Sequence, residues 1–234
     1  MMDLLDRFRS NAVTTKRALG TIWDKSLSVL DPERLHQWAA IERSLQGCAS
    51  VLDLGCGRGG HIRNHEFFEN SRLVGVDVSE EWTAELPDCY REVLHGDLLS
   101  VLASLPSDSF DAVMAIDVIE HFIKSDGHIL LQEMARVSRS VVTIATPNGF
   151  VHQPPATDNP FNEHLSGWTY RELKTLGFTR ISGHFGFKSF RGSFGLPRLR
   201  PAHLGYFASA LTARLCAKFP TTCYQLVAVK SFND

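Results

Sequence analysis

The ten residues from Val51 to Gly60 (Val-Leu-Asp-Leu-Gly-Cys-Gly-Arg-Gly-Gly) constrain this chain more than any other stretch. A short apolar run breaks into glycines at 55, 57, 59 and 60, the pattern of a buried strand that feeds a tight turn before a helix, expected here from about Arg58 to Phe68. Glycine accepts positive φ and close approach of a ligand, so successive N–H groups in such a turn can point at an anion or a sugar. Asp53 precedes the first glycine by two positions and projects near the carboxyl end of the strand, where open α/β sheets receive ligands. A carboxylate there repels a pyrophosphate but suits a cation.

Gly55, Gly57 and Gly60 also satisfy G-x-G-x-x-G, which alone is a weak signal for a dinucleotide. A second buried strand, Leu73-Val74-Gly75-Val76-Asp77, ends in an acid about twenty residues further on, where a ribose-binding residue belongs. Tyr90 to His95 reads as a third strand running into Gly96-Asp97, Phe110 to Ile116 as a fourth and Ser140 to Ala145 as a fifth. Between them, Leu98, Val101, Leu102 and Leu105 make one helical stripe. Ser125 stands as cap of a longer helix whose Ile129, Leu130, Met134 and Val137 face the sheet. Thr169 and Glu172 form a capping box ahead of a short helix that stops at Gly177. Arg180 to Phe187 and Cys223 to Lys230 complete seven strands. Strands and helices alternating at this rhythm imply right-handed crossovers and a mostly parallel sheet covered on both faces.

At 234 residues, 44% hydrophobic and 21% charged, the chain is long enough for one large α/β domain and too short for two comfortable ones. The formal charge of −2 excludes a global electrostatic pull toward nucleic acid or an anionic membrane and leaves only local patches. Five cysteines without a C-x-x-C pair argue against a disulfide framework or a zinc site and for a reducing cytoplasm. Met1 to Lys25 mixes charges with few apolar residues and lacks the core of a signal peptide. Asp31-Pro32 opens a helix in which Leu35, Trp38, Ile41 and Leu45 recur at helical spacing up to Gly47; it covers the ligand pocket or packs on the sheet.

Asp53 with the glycine loop, Asp77, Gly96-Asp97 and the run Phe110-Asp111-Ala112-Val113-Met114-Ala115-Ile116-Asp117-Val118-Ile119-Glu120-His121-Phe122 together resemble the class I S-adenosylmethionine-dependent methyltransferases over roughly residues 48 to 187. Within that class the nearest likeness is to small bacterial enzymes beside glycan- and quinone-modifying pathways. The resemblance implies a Rossmann-like seven-stranded sheet whose last strand is antiparallel and inserts beside the fifth. It divides the single domain into a helical segment (1–47), a cofactor-binding core (48–187), a lid-like insertion (188–220) and the last strand (221–234). It also implies S-adenosylmethionine contacts at Asp53, Gly55, Cys56, Gly57, Asp77, Val78, Asp97, Leu98, Ile116 and Asp117. In this scheme Asp53 lies near the ammonium, Asp77 takes both ribose hydroxyls and Asp97 accepts from the adenine amino group. A nicotinamide oxidoreductase and a catalytically silent adenosine-binding protein are the competing readings. The first lacks a second mononucleotide half.

On the acceptor side, Asp117, Glu120 and His121 fall at i, i+3 and i+4 and share a face if that segment is helical. This resembles the acidic-x-x-Glu-His arrangement of metal-dependent quinone and small-RNA methyltransferases, with Asp in place of the first Glu. A divalent metal is therefore open but not favoured over a structural or substrate-orienting role. His164, in the long loop after the fifth strand, is the other candidate base beside His121, because a neutral imidazole removes a hydroxyl proton readily. The expected acceptor is a hydroxyl of a small molecule, glycan or lipid-linked intermediate. Finally, Lys188 to Pro220 carries Lys188, Arg191, Arg198 and Arg200, then Leu204, Phe207, Leu211, Leu215 and Phe219 on one helical face. The segment reads either as a lid or a helix packed on the core, or as a surface for an amphiphile or a membrane.

Overall fold

The computed structural model of the chain describes residues 32–62, 65–155, 160–192, 198 and 202–232. The expectations for Met1 to Lys25, and for Arg200, lie outside them. Seven strands, β1 (Ser50–Leu54), β2 (Arg72–Asp77), β3 (Tyr90–His95), β4 (Phe110–Ile116), β5 (Ser138–Pro147), β6 (Arg180–Phe187) and β7 (Cys223–Ser231), pair in the order β3-β2-β1-β4-β5-β7-β6. The first five are parallel. β7 runs antiparallel to both neighbours, with Ile144 opposite Ala228 and Ile181 opposite the same residue from the other side. The helices are α1 (Pro32–Leu45), α2 (Glu80–Thr83), α3 (Leu98–Ser104), α4 (Lys124–Val137), α5 (Tyr170–Thr175) and α6 (Ala202–Lys218).

The pleat sorts the β1 run between two cores. Leu52 and Leu54 join Val113, Ile144, Leu130 and Met134 on one face. Val51 joins Leu73, Met114 and Val141 on the other, beneath Trp38, Ile41 and Leu45 of α1. With period-two alternation and both faces covered, a strand reads as an unbroken apolar run, which is why β1, β2 and β4 were visible in the sequence. α1 thus packs on the sheet face at β5, β6 and β7.

Three local expectations are corrected. No α-helix follows the glycine loop among the described residues; the chain turns and then forms a single 3-10 turn, His65–Phe68. Gly57 and Gly59 both sit at left-handed φ (51° and 68°), which a right-handed helix cannot accommodate. A Cβ on Gly59 would also lie 2.6 Å from Pro87 Cδ. Ser125 is not the cap of α4, which begins a residue earlier with Ile123 in the cap position. Tertiary contacts at Lys124 set that start: its ammonium lies 3.6 Å from the Trp168 ring centre, donates to Gly167 O at 2.6 Å and pairs with Glu172 at 2.9 Å. Ile129 is exposed, because the buried stripe runs through Gly127, Leu130, Met134 and Val137 and leaves it about 100° off the face.

The capping box at Thr169 is fully formed, and α5 closes with paired bonds from Gly177 N–H to Lys174 O and from Phe178 N–H to Leu173 O. This pins the end of the long loop that leaves β5.

Candidate functional site

A cleft of about 390 Å³ opens over the carboxyl ends of β1, β2 and β4. One wall holds Gly55, Gly57, Asp77, Val78, Asp97 and Leu98; the other holds Asp117, His121, Phe122, Phe161 and Leu165. Asp77 is buried and fixed by two backbone donors, Gly57 N–H at 2.8 Å on Oδ2 and Ser79 N–H at 2.9 Å on Oδ1. Asp97 lines the cleft while its Oδ2 caps α3 through Ser100 N–H and Oγ–H at 2.9 and 2.8 Å.

Four N–H groups of the glycine loop are committed within the protein and not presented to a ligand. Gly55 and Cys56 both donate to Val76 O, Gly57 to Asp77 and Gly59 to Cys56 O. Its glycines serve close approach: Gly55 has φ of 68°, and a Cβ there would meet Val118 Cγ2 at 2.6 Å. Cys56 stands apart from the cleft, its side chain buried where a Cβ on Gly75 would touch its Sγ at 2.7 Å. Burial, then the charges of Asp53 and Asp77, push its thiol pKa up, so it stays protonated.

Asp53 is fully buried. Its Oδ2 accepts from Tyr90 Oη–H at 2.5 Å and pairs with His61 Nε2 at 2.9 Å, while Oδ1 has no hydrogen-bond partner. Burial and then the Asp53 charge push the Tyr90 phenol up, so its proton stays in place as the donor. His61 carries this group to a second, smaller cavity of about 190 Å³, lined by Gln37, Trp38, Ile41, Gly60, His61, Ile116 and Asp117. Two side chains in its wall were missed by the sequence reading. Gln37 Nε2 and Trp38 Nε1 are buried donors without an acceptor, in residues only 8% and 5% exposed. A buried donor left unpaired costs about 1–3 kcal/mol, so such a pair facing a cavity is complementary to an anionic group. The only signal in the sequence was a glutamine next to the apolar stripe of α1.

Asp117 belongs to both cavities and joins them. It takes a left-handed φ of 56°, donates its N–H to Ala145 O at 2.9 Å and accepts from the Gln225 side-chain amide. That backbone turn breaks the helical face expected for Asp117, Glu120 and His121: only Ile119–His121 form a 3-10 turn, and Asp117 lies outside it.

His164 takes the vacant place. The Glu120 carbonyl accepts N–H bonds from Leu165 and Ser166 at 2.8 and 3.0 Å, which draws the loop onto the turn and sets the His121 and His164 ring centres 5.0 Å apart. His121 Nδ1 lies 2.9 Å from Glu163 O and His164 Nδ1 2.8 Å from Val151 O. A carbonyl only accepts, so both Nδ1 atoms carry hydrogen, and each neutral ring keeps its lone pair on Nε2. His121 lines the cleft; His164 is not among the lining residues and is 8% exposed. Burial lowers the His164 pKa, which keeps it neutral. The Glu120 carboxyl, 2% exposed and bonded by Thr146 Oγ1–H at 2.9 Å, is held well above the usual carboxylate range by burial and then by Asp117.

Residues 52–145 match the model of a methyltransferase domain family. A probable S-adenosylmethionine-dependent methyltransferase of Mycolicibacterium smegmatis is 30% identical over 199 residues, covering 80% of this chain and 73% of the relative. The chain belongs to the S-adenosylmethionine-dependent methyltransferases. A sterol 24-C-methyltransferase of Yarrowia lipolytica is 31% identical over 97 residues, and this match spans only 25% of that longer enzyme. Among solved structures, a SAM-dependent methyltransferase from Archaeoglobus fulgidus has the same fold, with a TM-score of 0.55 at 19% identity, covering 85% of this chain and 92% of that one.

The methyltransferase therefore takes S-adenosylmethionine as its cofactor, and the nicotinamide reading is set aside. The geometry agrees, since a pyrophosphate would find the N–H groups of Gly55, Cys56, Gly57 and Gly59 already committed. Asp77, Asp97 and Asp117 line the cleft and the buried donors of Gln37 and Trp38 line the smaller cavity, a set of groups that fits such a cofactor, whereas Asp53, expected near the ammonium, is fully buried behind Tyr90 and His61 and lines neither cavity. One donor atom each of Glu120, His121 and His164 lie within 4.8 Å of one another, a set able to hold a divalent ion.

Proposed function

We propose that the enzyme methylates a hydroxyl oxygen of a small molecule, glycan or lipid-linked intermediate, with His121 as the base. The observation that carries this reading is the placement of His121 on the cleft wall opposite Asp77 and Asp97, with its Nδ1 held on Glu163 O and its Nε2 left to accept a proton. S-adenosylmethionine, when bound, supplies an electrophilic methyl on a sulfonium that leaves as a neutral thioether. The protein's share is alignment and exclusion of water. Gln37 and Trp38 anchor the carboxylate end, Asp77 the ribose, and Asp97 with Leu98 the adenine. The electropositive centre then falls beside Asp117, at the junction of the two cavities. An acceptor hydroxyl entering past Phe122, Phe161 and Leu165 loses its proton to His121 Nε2 as its oxygen bonds the methyl carbon. His164 and Glu120 position His121 from behind and do not touch the acceptor.

The test is transfer of labelled methyl groups from S-adenosylmethionine into fractionated metabolite, glycan and lipid extracts, with and without a chelator. Label on an ether oxygen supports the reading, and label on nitrogen or carbon overturns it. Loss of transfer in chelator, restored by magnesium or manganese, assigns Glu120, His121 and His164 to a metal instead of to proton transfer.

A further inference from the structure

The helix α6 is mounted the wrong way round for a water-soluble surface. Its small side is buried: Gly205, Ser209 and Cys216 face β6, where a Cβ on Gly186 would come within 2.5 Å of Ser209 O and one on Gly183 within 3.1 Å of Cys216 O. Polar bonds occupy the same buried side, from Arg191 Nε to Ser209 Oγ at 3.2 Å and from Phe187 N–H to Thr212 Oγ1 at 3.2 Å. The large apolar residues point out. Leu204, Phe207, Leu211 and Leu215, 48%, 64%, 64% and 46% exposed, follow the spacing of one face, and Phe219, 58% exposed, continues it just past the helix end. An amphipathic helix packed on a core shows the reverse, so of the two readings of this stripe the core-facing one is excluded, and Arg191 is part of the packing and not of a basic approach.

Charge says what covers it. Between Glu172 and Asp234 the chain has no acidic residue, against nine of its 24 lysines and arginines, whereas the remainder holds all 26 acids. The ion pairs among the described residues all lie at or before Glu172. Lys188, Arg198 and Lys218 are exposed and flank the stripe in sequence. A second copy of the chain laid on this face would bring two acid-free cationic segments together, which opposes dimerisation, whereas an anionic bilayer answers both the charge and the apolar stripe. The cleft is also on hand. Asn148, which leaves β5 at its carboxyl end, donates from Nδ2 to Pro220 O, Thr221 O and Cys223 O at 3.1, 2.9 and 3.1 Å, tying the end of α6 to the rim of the active site. Phe150, two residues further on, is 61% exposed.

We propose that the exposed apolar face of α6, with the basic residues around it, docks the enzyme on the surface of an anionic lipid bilayer. No described helix is long and apolar enough to cross a membrane, so the contact is peripheral. The proposal does not depend on the acceptor. It is tested by flotation of the full chain with vesicles of phosphatidylcholine alone and with about one third phosphatidylglycerol, at low and physiological salt, alongside light scattering of the free protein. At least a tenfold preference for the anionic vesicles, reduced by salt, is expected. Phe207→Glu with Leu211→Glu should abolish flotation, and Lys188→Glu with Lys218→Glu should remove the preference for anionic lipid. Both double variants should keep the native heat of S-adenosylmethionine titration, which shows that they fold. Equal partition into neutral vesicles, no flotation at either salt, or a native dimer made monomeric by the Phe207 and Leu211 changes would each overturn it.

Discussion

The two walls of the cleft differ in how far along the chain their contacts reach. The Asp77 wall is held by bonds that span 20 residues to Gly57, two to Ser79 and three from Asp97 to Ser100. The His121 wall is held by bonds that span 42 residues to Glu163, 26 from Glu120 to Thr146 and 108 from Asp117 to Gln225. A wall closed by near neighbours forms with its own strand–turn–helix unit, and its carboxylates are aimed before any ligand arrives. A wall assembled from distant segments is in place only once the loop after β5 has docked and β7 has inserted. The first should bind the cofactor, and the second should decide turnover and acceptor.

The largest break in this comparison should come from Asp77→Ala. Losing a buried carboxylate that accepts two hydroxyl bonds costs on the order of 3 kcal/mol, more than a hundredfold in S-adenosylmethionine affinity by calorimetry, and because the Gly57 and Ser79 N–H groups lose their acceptor the unfolding midpoint should also fall while the fold survives. Unaltered heats would remove Asp77 from the cofactor site. On the opposite wall, His121→Ala should lower turnover about a hundredfold with the cofactor dissociation constant unchanged. A parallel loss of cofactor affinity would show that the walls are not separable. Trp38→Phe with Gln37→Ala should weaken S-adenosylmethionine by about tenfold. Adenosine, which lacks the carboxylate, should bind both forms alike, and a change for adenosine would place those donors elsewhere.

Smaller effects sharpen the contrast. Thr169→Ala removes the cap that ends the loop and should cost about 1 kcal/mol of stability with no effect on cofactor titration. His164→Asn bears on pH. The folded imidazole binds its proton less readily than the unfolded one, so acidification below the ordinary value of 6.5 protonates the unfolded chain first and native stability falls. The variant lacks that loss, and its Tm should decline less between pH 6.5 and the onset of acid unfolding. Glu120, with its carboxyl raised, acts in the opposite sense, costing stability as pH rises above 4.5, so Glu120→Gln should flatten the other flank.

The same contrast explains what could be read from the sequence. β1 to β4 and the capping box at Thr169 were legible because each is a local pattern, an apolar run or a cap with partners within a few residues, and Asp77 by its spacing from the glycine loop, whereas Asp97 was singled out by family likeness and its cap on α3 was not read. The antiparallel insertion of β7 came from family likeness, not from its residues. Gln37 and Trp38 were not legible as ligands, since what marks them is an absence, two donors with no acceptor, that exists only after α1 has packed on the sheet. The grouping of Glu120 with His164 in place of Asp117 depended on one left-handed residue at 117, which spacing cannot reveal. α6 was foreseen as a helix with its orientation left open, because periodicity reports that a face exists and not whether glycines opposite invite the other face inward.

A crystal structure with S-adenosylhomocysteine tests the division of the cleft most directly. The account predicts its carboxylate on Gln37 Nε2 and Trp38 Nε1, its ribose on Asp77, its adenine between Asp97 and Leu98, and its sulfur beside Asp117, facing His121. Density with the amino-acid end lodged against His121 and His164, and the smaller cavity left to water, would contradict it.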